Sequence, residues 1–214
     1  MNIEWTNEDG CEASWGLFSR LKGRDNTEAG FASVTNLIIE NDTIQKKPGF
    51  SPIGSGVIKL GTIAGDLTQY AEISNIIIRN SKIIDNEETD STKNSFRVGG
   101  VVGYIDNSNN LNQFRIFNIS ADVDVNMLTK ATLTSSSNFQ ATIAGGFGSV
   151  SKLAKPGIGN IVILPRNILI HGSLTTSTNT TRCRKGSVLS SNTTAMDDFD
   201  KVYVDDQPIT STWY

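Results

Sequence analysis

Four stretches of this chain share one pattern, and a pattern recurring at near-regular spacing constrains the fold more than any local propensity does. Each stretch opens with a glycine-rich apolar cluster: Gly16-Leu17-Phe18-Ser19-Arg20-Leu21, Thr62-Ile63-Ala64-Gly65-Asp66-Leu67, Gly100-Val101-Val102-Gly103-Tyr104-Ile105 and Gly145-Gly146-Phe147-Gly148-Ser149-Val150. Each then reaches a second apolar cluster, at Val34 to Asn41, Ile73 to Asn80, Leu111 to Asn118 and Ile158 to Pro165. Aligned at Asn36, Asn75, Gln113 and Asn160, the copies lie 39, 38 and 47 residues apart, and the last interval absorbs a Ser-rich insertion around Thr134 to Asn138.

Stacked on one another, the copies separate inside from outside. The column Leu37, Ile76, Phe114, Ile161 is large and apolar throughout, as is Ile39, Ile78, Ile116, Ile163, whereas the column between them accepts Arg115. Strand alternation makes the first two columns core and the middle one surface. A further apolar column, Val34, Ile73, Leu111 and Ile158, comes three residues before the first core column, which alternation forbids. A bend therefore lies between them, at Asn36, Asn75, Gln113 and Asn160, and asparagine tolerates the left-handed backbone that a corner needs. A second corner is expected after Asn41, Asn80, Asn118 and Pro165, ahead of the apolar column Ile44, Ile83, Ala121 and Ile168.

Short strands joined by corners at a repeating period predict an all-β chain, a right-handed parallel β-helix or solenoid of about four to five imperfect repeats. One turn cannot bury its inward face alone, but turns stacked about 4.8 Å apart pair their backbone groups and close a core. The right hand follows from the crossover rule. Composition agrees: 23 Ile and 12 Val against 13 Leu, with 21 Thr and 19 Gly, favour strands and turns over helices. The column Gly65, Gly103 and Gly148, with Ser19 in the first copy, reads as positions where a neighbouring backbone comes close. A sandwich of hairpins is the competing all-β reading; columns that agree by position favour the solenoid. The 214 residues read as a single domain, with repeats at about 14–44, 60–83, 98–121 and 143–168. Residues 173–214 read as a Ser/Thr-rich loop and a terminal strand or cap, and Trp5, Trp15 and Trp213-Tyr214 as cover for the ends.

A net charge of -3, a pI near 5.2 and the lack of a dense Lys/Arg run give nucleic acid no electrostatic footprint. Apolar runs such as Ile161 to Leu164 are far too short to span a bilayer, so no membrane insertion is expected, and the opening Met1-Asn2-Ile3-Glu4 is not a signal peptide. The chain is therefore expected to be part of something longer.

The glycine clusters, each followed by an Asn-apolar-apolar-apolar strand, resemble the GLUG-motif repeats of bacterial and protist surface proteins. The resemblance covers roughly residues 14 to 170, with Thr62 in place of an opening glycine and Ser19 in place of a closing one. It implies an extracellular or cell-surface solenoid acting as a spacer or adhesive part of a larger polypeptide, with a glycan or protein ligand.

Candidate chemistry is sparse. One histidine, His171, excludes a multi-histidine metal site and leaves no triad, and no cofactor is expected. Parallel β-helices include polysaccharide-cleaving enzymes that use acidic residues on an outer face. Asp122 and Asp124, two apart on a strand, would share a face and could serve as acid and base with Asp106 or Asp85 nearby. The plainer reading is solvated strand residues alternating with Val123 and Val125. The run Asp85, Glu87, Glu88, Asp90 reads as an acidic loop. Asp197, Asp198, Asp200, Asp205 and Asp206 lack the spacing of a calcium loop.

Cys11 and Cys183 fall in the first and about the fifth turn, near 19 Å apart along the stack, beyond the reach of a disulfide. Sequons occur at Asn41, Asn118, Asn179 and Asn192, about the number chance gives for 20 Asn and 43 Ser plus Thr; Asn179 and Asn192 are the candidates for glycosylation. The expected function is a noncatalytic surface module, and the alternative is a carbohydrate-active enzyme built on Asp122 and Asp124.

Overall fold

The computed structural model describes residues 1–6, 13–50, 56–90, 95–106, 114–130, 141–150, 158–171, 183–186, 199–204 and 207–208. After β1 (Asn2–Trp5) the chain makes repeated passes through three sheets, always in the same order. The first pass is β2 (Ala13–Trp15), β3 (Phe18–Lys22), β4 (Ala32–Glu40) and β5 (Thr43–Lys46). The second is β6 (Val57–Gly61), β7 (Ala64–Thr68) and β8 (Ala71–Asp90), the third β9 (Ser95–Gly99), β10 (Val102–Ile105) and β11 (Phe114–Lys130). A fourth comprises β12 (Ala141–Ala144), β13 (Phe147–Val150) and β14 (Ile158–His171). Then come β15 (Cys183–Gly186), β16 (Phe199–Val204) and β17 (Gln207–Pro208).

Equivalent strands lie side by side. One sheet runs β2-β6-β9-β12-β15, the second β3-β7-β10-β13, and the third holds β1, β4, β5, β8, β11, β14, β16 and β17. All pairings are parallel except β16 with β17. The all-β class with parallel sheets is therefore as the sequence predicts.

The corners explain how an isoleucine-rich strand keeps its apolar side chains on one side. Asn36 and Asn75 sit at φ 57° and 55°, and Asn41 and Asn80 at 54° and 52°. A left-handed residue resets the alternation. Ile73, Ile76 and Ile78 are thereby all buried despite their three-then-two spacing. Each such burial is worth about 1.5–3 kcal/mol.

The third pass departs from the sequence register by five residues. Ile76 pairs with Ile119, Ile78 with Ala121 and Ile73 with Ile116, while Phe114 pairs with Ala71. The axial row is Leu37, Ile76, Ile119, Ile161, so Phe114 does not belong to it. Asn118, at φ 55°, is the first corner of this pass rather than its second. The physical reason is backbone tolerance, since an asparagine takes the left-handed corner more readily than Gln113. At the second corner the pass is one residue short: Ala121 faces Ile78 and Val123 faces Ser81, so Asp122 alone spans Arg79 and Asn80.

Two apolar clusters fill the space between the sheets. Ile63, Leu67, Val102, Ile105 and Phe147 pack against the first half of the long strands of the third sheet. Ile58, Leu60, Phe96 and Val98 pack against their second half, with Ile44, Ile83 and Val125. Trp5, on β1, belongs to this second cluster, fully buried and edge-on to Phe96 with ring centroids 6.1 Å apart. The predicted acidic loop at Asp85 to Asp90 is instead the end of β8. Asp85 faces inward and pairs with Lys46 at 3.4 Å, both side chains almost inaccessible, so the two charges neutralise one another inside the second core.

Between the clusters lies a short polar bridge. Thr62 Oγ1 and Ser81 Oγ are 2.8 Å apart, and Ser81 donates to Asp42 Oδ2 at 3.5 Å. Burial pushes the Asp42 carboxyl above its ordinary range, against the opposing pull of the Met1 amine and of hydrogen bonds from the Thr43 N–H and the Ser81 hydroxyl.

Candidate functional site

Asp122 and Asp124 do share a face of β11, alternating with buried Val123 and Val125, and both are half-buried rather than solvated. Asp122 has a corner role: its Oδ2 accepts the backbone N–H of Asn80 at 3.2 Å, where this pass lacks an asparagine. Asp124 lies in register between Lys82 and Asn167. Asp85 and Asp106 do not join them. Asp85 is turned into the core, and Asp106 closes β10 in the second sheet, its N–H donating to the Leu67 carbonyl.

Of the other sequence candidates, His171, Cys183 and Asp200 stand on β14, β15 and β16, with Cys183 level with Ala141. Cys11, Asn179, Asn192, Asp197, Asp198, Asp205, Asp206 and the Trp213-Tyr214 pair lie outside the described residues. Among the described residues no three His, Cys, Asp or Glu side chains are grouped to hold a metal ion, and no helix is long and apolar enough to cross a membrane.

Asparagines bond from pass to pass. Asn118 donates to Asn75 Oδ1 at 2.9 Å and Asn75 donates to Asn36 Oδ1 at 3.1 Å, while Asn80 donates to Asn41 Oδ1 at 2.7 Å. Ion pairs follow the same axis, the exposed Arg79 with Glu40 and Arg115 with the half-buried Glu72.

A second polar constellation, not anticipated from sequence, occupies the notch where the first and second sheets meet outside the core. The glycine column creates it. A Cβ on Gly103 would stand 2.7 Å from the Gly65 carbonyl oxygen and the Leu60 nitrogen, and 2.8 Å from the Arg97 carbonyl oxygen, so only glycine permits this approach. Side chains seven residues apart across the turn then meet. Lys59 reaches Asp66 Oδ2 at 3.0 Å, and one pass later Arg97 lies 3.9 Å over the Tyr104 ring. Arg20, from the first pass, places Nε and Nη2 on Asp66 Oδ2 at 3.0 and 2.8 Å, and Lys59 Nζ is 4.9 Å from the Tyr104 centroid. Two cations, Lys59 and Arg20, share one carboxylate, and a third, Arg97, stands on the neighbouring ring. The recurring offset, Lys59 to Asp66 and Arg97 to Tyr104 around Gly61-Thr62 and Gly99-Gly100, was the signal available in the sequence.

Comparison of the chain with protein-family models, curated proteins and solved structures finds no match.

Proposed function

We propose that the three stacks form a single right-handed parallel β-solenoid domain, and that the chain is a noncatalytic module of a larger extracellular or cell-surface protein. It acts as a spacer or adhesive segment that offers its long outer faces to a glycan or protein. The hand rests on the crossover rule for parallel strands, and the surface role on the resemblance to GLUG-motif repeats. The observation that carries the reading is the direction of the outer polar bonds. Asn36, Asn75 and Asn118, Asn41 and Asn80, and Glu40 and Arg79 bind their counterparts in the next pass, so these groups tie the stack together instead of converging on a reacting atom.

One observation favours a carbohydrate-active enzyme. Asp122 and Asp124 lie two residues apart on one face of β11, and Asp124 Oδ1 is buried with no hydrogen-bond partner. A screen of uronic and neutral polysaccharides separates the two. The module reading expects no product, with glycan binding by Asp122→Ala and Asp124→Ala equal to that of the unsubstituted chain. Product release that disappears in both variants would establish the enzyme instead.

A further inference from the structure

The notch holds three cations and one carboxylate, a local excess of positive charge on a chain whose net charge is -3. Lys59 and Arg20 are both committed to Asp66 Oδ2. Arg97 is not: among the described residues its guanidinium makes the ring contact with Tyr104 and no hydrogen bond. Stacking fixes the guanidinium plane and leaves its edge donors available, the geometry that matches the two oxygens of a carboxylate. Arg20 remains 52% exposed, with Nη1 outside its bonds to Asp66.

We propose that this notch binds an acidic polysaccharide, with Arg97 taking a sugar carboxylate and Arg20 a second one farther along the polymer. The inference rests on the reading of the chain as a noncatalytic binding module. Arg20 and Arg97 belong to the first and third passes, so they stand about 10 Å apart along the stack, two strand spacings. A compact anion reaches one of them; an extended chain of sugar acids reaches both. The target is not nucleic acid, because the sequence has no dense run of Lys or Arg to neutralise successive phosphates. Tyr104 is a positioning residue that holds Arg97 flat.

The test is calorimetric titration of the intact chain with polygalacturonate, with the same polymer fully methyl-esterified, and with single-stranded DNA. Expected are salt-sensitive binding of the acid form and at least tenfold weaker binding of the ester. Arg97→Gln and Arg97→Lys are both expected to lose about tenfold, since a lysine supplies charge without the fork. Arg79→Gln, in the third sheet, leaves affinity unchanged. Should Arg97→Gln unfold the chain, Arg20→Gln carries the same expectation of weakened binding. Equal affinity for acid and ester, tighter binding of DNA, undiminished affinity in the folded variants, or no polymer binding at all would overturn the proposal. Cleavage of the polymer would instead contradict the noncatalytic reading while leaving the assignment of Arg97 to be judged on its own affinity loss.

Discussion

Asn118 donates its side-chain amide to Asn75 Oδ1 across 43 residues of sequence, and both residues hold a left-handed backbone. The contact fixes the register of the third pass. It also ties each corner to the corner beneath it, so that a local conformational preference becomes a property of the whole stack.

The middle rung of that ladder is the most informative to remove. Asn75→Ala loses two amide bonds and places a Cβ-bearing residue without asparagine's tolerance at φ 55°, an expected cost of about 2 kcal/mol. Asn75→Gly loses the same bonds but keeps the backbone free, so its cost is about 1 kcal/mol. Urea denaturation of the two variants measures the difference; equal midpoints would remove the conformational part of the explanation.

Gly103→Ala tests the close approach of the first two sheets. The new methyl meets backbone atoms of Gly65, Leu60 and Arg97, none of which can swing aside. The expected loss is about 3 kcal/mol, at the upper end of overpacking effects, seen as a lowered thermal midpoint. A variant as stable as the parent would mean that the sheets stand farther apart.

Asp42 gives a pH dependence of defined sign. Its folded-state pKa is raised, so the folded chain holds the proton more tightly than the unfolded one. The favourable contribution is complete below the ordinary value of 3.8 and is lost as pH rises through the raised one. Asp42→Asn is therefore expected to be more stable than the parent at pH 7 and nearly equal to it below pH 3.8. Denaturation midpoints across pH 3 to 7 report this, and a destabilised variant at neutral pH would reverse the assignment.

Asp25 behaves in the opposite sense at the turn between β3 and β4. The Thr27 hydroxyl, then Arg24 and the Thr27 N–H, hold its pKa down at about 2. Any order it lends the turn is present above the ordinary carboxylate value and fades as pH falls through about 2. An NMR titration of Thr27→Val should show the Asp25 midpoint moved up toward 3.8; an unmoved midpoint would exclude the hydroxyl as the main cause.

Much of this architecture is legible in the residues. The three-then-two spacing of Val34, Leu37 and Ile39, and of Ile73, Ile76 and Ile78, demands a corner, and the asparagine between them supplies one. The third pass misleads because Leu111, Phe114 and Ile116 fit the pattern as well as Ile116, Ile119 and Ala121 do; hydrophobicity is degenerate there, and the amide ladder breaks the tie. Asp85 reads as solvent-facing because its partner, Lys46, lies a whole pass away in sequence. The notch is marked in the sequence only by the seven-residue offset of Lys59 to Asp66 and Arg97 to Tyr104; that these pairs meet depends on two sheets touching at a glycine, an angle the offset alone does not report.

The stacking register itself can be measured by cross-linking. In a Cys11→Ser, Cys183→Ser background, Ile77→Cys with Ser120→Cys places two thiols on directly paired residues of neighbouring strands, about 4.8 Å apart and within disulfide reach. Ile77→Cys with Arg115→Cys places them where the unshifted register would pair them. Rapid oxidation of the first pair, with the second remaining reduced in the folded state, is the expected result. Oxidation of the second pair and not the first would contradict the axial row of Leu37, Ile76, Ile119 and Ile161 and the stack built on it.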